Sequence, residues 1–290
     1  MNDVITVITS PPFATIQDLG RTGFRDSGVP VSGLADRESG LALNEILGNH
    51  PNAAMIEWAV GGGTLRFDRA TKIAVGGADV IHSINGIPAD QWVPTVVGKG
   101  DELRIERIVH GRFVLIAVRG GIDVPVVLGS RSTLLSAGIG GLDGRRLRNG
   151  DQLRIGDHVI ARHDDIHDIK RTHRPDVEGP VVVMRGPQAS LFDDVAWGTF
   201  LSAEYVVSLA SDRSGYRLDG ATISHSGDAA LPSEPACVGA IQIPDGGTPI
   251  VIMNDGPTVG GYPKIAVITA SCMSRFAQLA PGDRVRFAVN

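Results

Sequence analysis

Apolar residues in this chain come in short runs of about four to eight, bounded by Gly, Pro and Asp. Runs at Val4 to Ile8, Lys72 to Val75, Phe113 to Val118, Val181 to Met184, Tyr205 to Leu209, Pro249 to Met253 and Ile265 to Thr269 predict strands. A parallel βαβ order needs a helical pattern between most of them, and that pattern is missing. Two windows read as helices. Asp36 to Leu47 sets Leu41, Ala42, Glu45 and Ile46 at helical spacing and stops at Gly48-Asn49. Ser271 to Leu279 puts Cys272, Phe276 and Leu279 on one face ahead of Pro281-Gly282. A shorter helix is expected over Ala189 to Ala196. All three are expected as lids on barrel ends in a mainly β protein.

One pattern recurs. Gly100-Asp101-Glu102-Leu103-Arg104-Ile105 matches Gly150-Asp151-Gln152-Leu153-Arg154-Ile155, and both match Gly282-Asp283-Arg284-Val285-Arg286-Phe287. Each reads as a Gly-Asp turn that launches a strand, apolar side chains inward and Arg outward. A looser echo pairs Gln17 to Arg25 with Ser211 to Arg217. Together they suggest two related β units. The segment from Arg162 to Gly179, rich in His, Asp, Lys, Arg and Pro, suits a connection between them. Domains are therefore expected over residues 1–165 and 176–290.

Composition narrows the class. Glycine accounts for 37 of 290 residues and aromatics for 5%, so the core must rest on Val, Ile, Leu and Ala. With 42% hydrophobic and 20% charged residues the chain is not generally disordered. A net charge of −5 argues against a dedicated nucleic-acid binder. Cys237 and Cys272 form neither a metal cluster nor a disulfide framework and are expected as reduced thiols. No apolar run approaches a membrane span and no signal peptide is evident, so a cytoplasmic protein without a membrane partner is expected.

The chain lacks a phosphate-binding loop, a nucleophile elbow and a biotin attachment site, and Gly138 to Asp143 resembles a dinucleotide fingerprint only loosely. His163-Asp164-Asp165-Ile166-His167 imitates a zinc-protease pair, but without an apolar stripe it reads as a solvated linker. No metal is expected. The Arg-Asp loops are more informative. Asp18, Arg21 and Arg25 sit among turn glycines. Arg119 and Asp123 follow an apolar strand, with Ser130 and Arg131 just beyond, and Asp212, Arg213, Tyr216 and Arg217 repeat the chemistry. The stretch from Asn254 to Lys264 is a Gly-rich loop after another strand. Arg forks grip planar carboxylates, and glycines let a ligand approach backbone N–H groups. Singly, Asp18–Arg21 and Asp212–Arg213 read as local pairs tying turns. Several such loops at strand ends point to a site for a small carboxylate, carbamate or amide.

These motifs resemble a known family. Thr15 to Arg25 with Gly28-Val29-Pro30-Val31-Ser32-Gly33 is similar to the start of the biotin-dependent carboxyltransferases. That group includes the 5-oxoprolinase C subunit, allophanate hydrolase subunit 2 and the KipI antagonist KipA, and is similar to half of the urea carboxylase carboxyltransferase region. Arg119 to Pro125, Leu128 to Thr133, Ser211-Asp212-Arg213 with Gly215-Tyr216-Arg217, Gly239-Ala240-Ile241-Gln242 and Gly260-Gly261-Tyr262-Pro263-Lys264 match its later signatures. Three departures stand out: Gly256-Pro257-Thr258-Val259, Ser214 and Pro235.

The resemblance implies two cyclophilin-like β-barrel domains. It implies a small partner of the KipI or allophanate hydrolase subunit 1 type and a further LamB/YcsF-like subunit. The expected activity is ATP-dependent opening of 5-oxo-L-proline to L-glutamate, present only with those partners. No cofactor is expected on this chain, and ATP is expected on partner subunits. The first alternative is carboxyl transfer from carboxybiotin, carried on another polypeptide, to a small amide. The second is a KipA-like regulator without chemistry. Expected catalytic residues are Asp18, Arg21, Arg119, Asp123, Asp212 and Arg213; expected substrate-binding residues are Arg25, Ser130, Arg131, Tyr216, Gln242, Tyr262 and Lys264.

Overall fold

Alternation of apolar and polar residues along the chain becomes alternation of buried and exposed side chains, as in β4 (Gly63–Phe67) and β10 (Gln152–Ile155). A computed structural model describes residues 4–160, 179–226 and 231–289. Their contacts gather into two units. One holds residues 4–22 and 32–160, the other residues 23–31, 179–226 and 231–289. That residues 23–31 join the second unit is not visible in the sequence. The domain boundary placed at 165–176 and the His163 to His167 motif lie outside the described residues.

In the first unit the chain runs through β1 (Val4–Thr9), β2 (Phe13–Gln17), α1 (Arg37–Ile46), β3 (Met55–Ala59), β4, β5 (Thr71–Ile84), β6 (Ile87–Pro88), β7 (Thr95–Val97), β8 (Glu102–Val118), β9 (Ile122–Asp123) and β10. One barrel-like antiparallel sheet results, in the order β2-β3-β8-β4-β1-β10-β9, with β5 paired to β8 and carrying β6 and β7. Ile5, Ile16, Ile56, Leu65, Ile116 and Leu153 fill one core. Their neighbours on the opposite face, Met55, Ala74, Leu115 and Ala117, pack under Leu43 and Ile46 of α1 and under Leu47, its C-cap. So α1 covers a sheet face instead of closing a barrel end, and Glu45, which the spacing put with Ile46, is exposed. Its start is fixed by Asp36, whose side chain accepts the Ser39 N–H at 3.0 Å.

The second unit runs through β11 (Val181–Arg185), a 3-10 turn (Ala189–Leu191), α2 (Asp194–Ser202), β12 (Tyr205–Val207), β13 (Gly215–Asp219), β14 (Glu234–Pro235), β15 (Ala240–Gln242), β16 (Ile250–Ile252), β17 (Val259–Gly260), β18 (Lys264–Ile268), α3 (Ala270–Ala277), β19 (Arg284–Val285) and β20 (Phe287–Val289). The main sheet, again barrel-like, is ordered β19-β12-β13-β16-β15-β18-β11-β20, and β14 pairs with β17 as a separate ribbon. The helix expected over Ala189 to Ala196 begins later, because Asp193 caps it by accepting the Ala196 N–H at 2.8 Å. The scarce aromatics concentrate in this unit's core: Phe200 stacks on Phe287 at 4.9 Å and Tyr216 meets Phe276 at 5.4 Å.

The three Gly-Asp repeats fold alike, across both units. Gly100, Gly150 and Gly282 adopt φ of 90°, 89° and 96°, the left-handed region a side chain would strain. Their N–H groups donate to Phe67, Val7 and Val207 carbonyls at 2.7, 2.7 and 2.8 Å. Each following Asp carboxylate accepts the N–H three residues back, on Gly98, Arg148 and Ala280, at 2.6, 2.7 and 2.8 Å. Leu103, Leu153 and Val285 point inward while Arg104, Arg154 and Arg284 are exposed.

Candidate functional site

Asp18 follows β2 and is 1% exposed. Its carboxylate accepts four hydrogen bonds: Gly20 N–H at 2.8 Å, Ser130 and Ser132 hydroxyls at 2.6 Å each, and Arg131 N–H at 2.6 Å. Three of these donors meet Oδ1 and one meets Oδ2, so the loop itself holds the buried carboxylate. Ser130 is 1% exposed and also accepts the Ser132 N–H at 2.9 Å, so its hydroxyl serves the loop. Arg21, likewise buried, donates to the Ser132 carbonyl. Arg131 reaches Asp123 at 3.6 Å. Asp18, Arg21, Asp123, Ser130 and Arg131 therefore share one knot that ties the end of β2 to the 130–132 loop. Arg119 lies apart from it. Its guanidinium donates to the Leu47 carbonyl at 2.6 Å and lines a groove of about 450 Å³ with Arg69, Lys72 and Asp157.

In the second unit the expected residues separate into four environments. Asp212 is exposed and accepts the Ser214 N–H at 2.7 Å, an Asx turn of the kind Asp18 makes with Gly20. Arg213 does not pair with its neighbour; it grips Asp255 bidentately at 2.8 and 3.1 Å. Tyr216 is fully buried and its hydroxyl donates to the Ala277 carbonyl at 2.7 Å, which makes it a core residue.

Gln242 and Lys264 form the fourth environment. They face each other across β15 and β18, at a register shift that falls between Ile241 and Gln242. Bulges of this kind re-aim side chains and collect beside functional sites. The Lys264 side chain is 2% exposed and its ammonium is bound by Glu234, which keeps 38% of its side-chain surface open. Gln188 joins them: its Nε2 donates to Glu234 Oε1 at 2.5 Å, and its Oε1 accepts the Lys264 N–H at 3.1 Å. The Lys264 hydrogen bond, seconded by Gln188, holds the Glu234 carboxyl below its ordinary range against the opposing effect of burial. Gln242 is 5% exposed and its Nε2 has no hydrogen-bond partner. Gly260 stands so close that a Cβ there would lie 2.7 Å from that nitrogen. Nearby, Arg25 donates to the Ala236 carbonyl, and Tyr262 is 45% exposed. No group of three or more His, Cys, Asp or Glu among the described residues is placed to hold a metal, and no described helix is long and apolar enough to cross a membrane.

The family model for the carboxyltransferase domain, subdomains A and B, matches residues 27–289. The chain belongs to the carboxyltransferase A/B family. It is 35% identical over 286 residues to the 5-oxoprolinase C subunit of Escherichia coli, covering 98% of this chain and 90% of that protein. It is 34% identical over 303 residues to the urea amidolyase of Lachancea kluyveri, covering 97% of this chain but 16% of that protein. The crystal structure of Kluyveromyces lactis urea carboxylase superposes with a TM-score of 0.93 at 29% identity, over 99% of this chain and 27% of that one.

The expectations drawn from sequence omit Glu234 and Gln188. Glu234 is 30 residues from Lys264 and Gln188 is 46 from Glu234, so neither pairing leaves a local trace. The one local signal is Ser233-Glu234-Pro235, where the acid beside the proline is the residue that meets Lys264. Pro235 fits because β14 is a two-residue strand paired only with β17.

Proposed function

We propose that this chain is the C subunit of a 5-oxoprolinase. In that reaction water adds across the lactam C–N bond of 5-oxo-L-proline, giving the carboxylate and amine of L-glutamate, while ATP is hydrolysed to ADP and phosphate. The observation that carries the reading is the 35% identity to a protein of that name, spanning 98% of this chain and 90% of the relative. The urea amidolyase match is as similar but occupies 16% of a much longer protein. ATP belongs to partner subunits in this reading: a small KipI or allophanate hydrolase subunit 1-like protein and a LamB/YcsF-like protein. This chain's part is to supply fixed donors that meet charge developing on the lactam oxygen.

The family model supports a second reading, in which the chain moves a carboxyl group from carboxybiotin, presented by another polypeptide, to a small amide. Reconstitution separates the two. ATP-dependent glutamate release that requires this chain supports the first; carboxybiotin-dependent labelling of urea supports the second. Tight binding to the small partner without turnover in any mixture supports the regulator instead. For the Arg residues, Arg119→Ala is expected to lower turnover in the assembled complex, and unchanged turnover removes Arg119 from the site.

A further inference from the structure

Burying an amide donor without an acceptor is costly, and folded proteins seldom do it. Gln242 Nε2 is such a donor. What surrounds it is polar and closed into a ring by backbone pairing. Gln242 faces Lys264 across one ladder, Gly260 faces Glu234 across another, Gly260 abuts the Gln242 amide, and Lys264 binds Glu234. Three groups in this ring can take a further hydrogen bond. An ammonium has three N–H donors, and Lys264 gives one to Glu234. Lys264 and Gln188 both bind Glu234 Oε1, so Oε2 of this partly open side chain can accept a further donor. The third is the Gln242 amide itself. The Lys264 and Glu234 charges cancel, so the ring favours a neutral group over a second ion.

We propose that Gln242, Lys264 and Glu234 recognise the edge of a cis amide, the group in which C=O and N–H lie side by side in a lactam, a urea or a primary amide. Gln242 Nε2 and Lys264 Nζ donate to the carbonyl oxygen, and Glu234 Oε2 accepts the N–H. Gln188 holds Glu234 in place and touches no ligand. The assignment of a lactam as the natural ligand rests on the 5-oxoprolinase reading; the amide-edge chemistry does not.

Binding is measured by calorimetry on the full chain, alone and assembled with its partner subunits, using 2-pyrrolidone, N-methyl-2-pyrrolidone and urea as probes. The wild type is expected to bind 2-pyrrolidone or urea and to lose N-methyl-2-pyrrolidone, which lacks the N–H. Gln242→Met is expected to weaken binding about tenfold or more, and to raise KM for 5-oxo-L-proline in step, with the thermal midpoint unchanged or higher. Gly260→Ala, which presses on the same nitrogen, is expected to weaken binding while the chain stays folded. Equal binding of the N-methyl probe, wild-type affinity in Gln242→Met, or no binding of either 2-pyrrolidone or urea overturns the proposal. Lactam binding without ATP-dependent ring opening, or binding of urea alone, leaves this site standing and removes the 5-oxoprolinase reading. Normal ring opening with unchanged KM in Gln242→Met does the reverse.

Discussion

Asp18 in the first unit and Gln242 in the second are both buried polar side chains at the end of a strand, and they are in opposite states. Asp18 has four donors on its carboxylate. Gln242 has a donor with no acceptor. A buried group held by four donors is architecture: removing it orphans every partner at once. An unsaturated one is either strain or a site, and its neighbours decide which. Tyr205 makes the point, since its hydroxyl is also buried without a partner, and burial pushes its pKa up to about 12. But Tyr205 sits among Phe200 and Phe287, with ring centroids at 6.3 and 6.0 Å, whereas Gln242 sits beside a Lys, a Glu and a glycine backbone.

The largest effect expected from breaking this contrast is at Asp18. Asp18→Ala leaves two hydroxyls and two N–H groups without their acceptor and should cost the first unit about 4 kcal/mol or more, read from denaturant unfolding. Next comes Asp255→Asn, which strips the charge from a bidentate pair whose side chains are 14% and 8% exposed. A loss of about 3 kcal/mol is expected, confined to hydrogen exchange in the second unit. Asp212→Asn, at the exposed counterpart of the Asp18 turn, should cost well under about 1 kcal/mol in the same assay.

His82 supplies a pH arm. It is 4% exposed, and burial lowers its pKa from 6.5, with Asp90 opposing. The unfolded chain therefore binds this proton more readily than the folded one, so stability is fully present above 6.5 and falls as pH drops below it. His82→Leu should flatten that part of the pH profile of the first unit. The smallest effects are the most telling: Tyr205→Phe and Gln242→Met should each leave the second unit as stable as before, or more so by up to about 1 kcal/mol, because each removes an unmet polar group. Only the second should disturb ligand binding.

What can be read from the sequence follows the range of the interactions. The Gly-Asp turns are legible because glycine, acid and N–H lie within three residues of one another. The start of α1 is legible because Asp36 caps its own helix. Range defeats the rest. Proximity in sequence suggests that Asp18 ties a local turn with Arg21, yet two of its donors, Ser130 and Ser132, stand 112 and 114 residues away. Arg213 lies next to Asp212 and binds Asp255, 42 residues on. Tyr216 lies in a motif that suggests a ligand, but the strand's period turns it into the core. Gln242 and Lys264 stand out through a family resemblance; that they oppose each other beside Glu234 is a property of sheet register, which no single segment encodes.

The most direct test is the side-chain amide signal of Gln242 in the nitrogen-15-labelled full chain, assembled with its partner subunits and titrated with 5-oxo-L-proline. The Gln242 assignment predicts that this signal shifts and its protons exchange more slowly as the lactam carbonyl takes up the unmet donor. A signal that stays unmoved at concentrations that saturate turnover contradicts it.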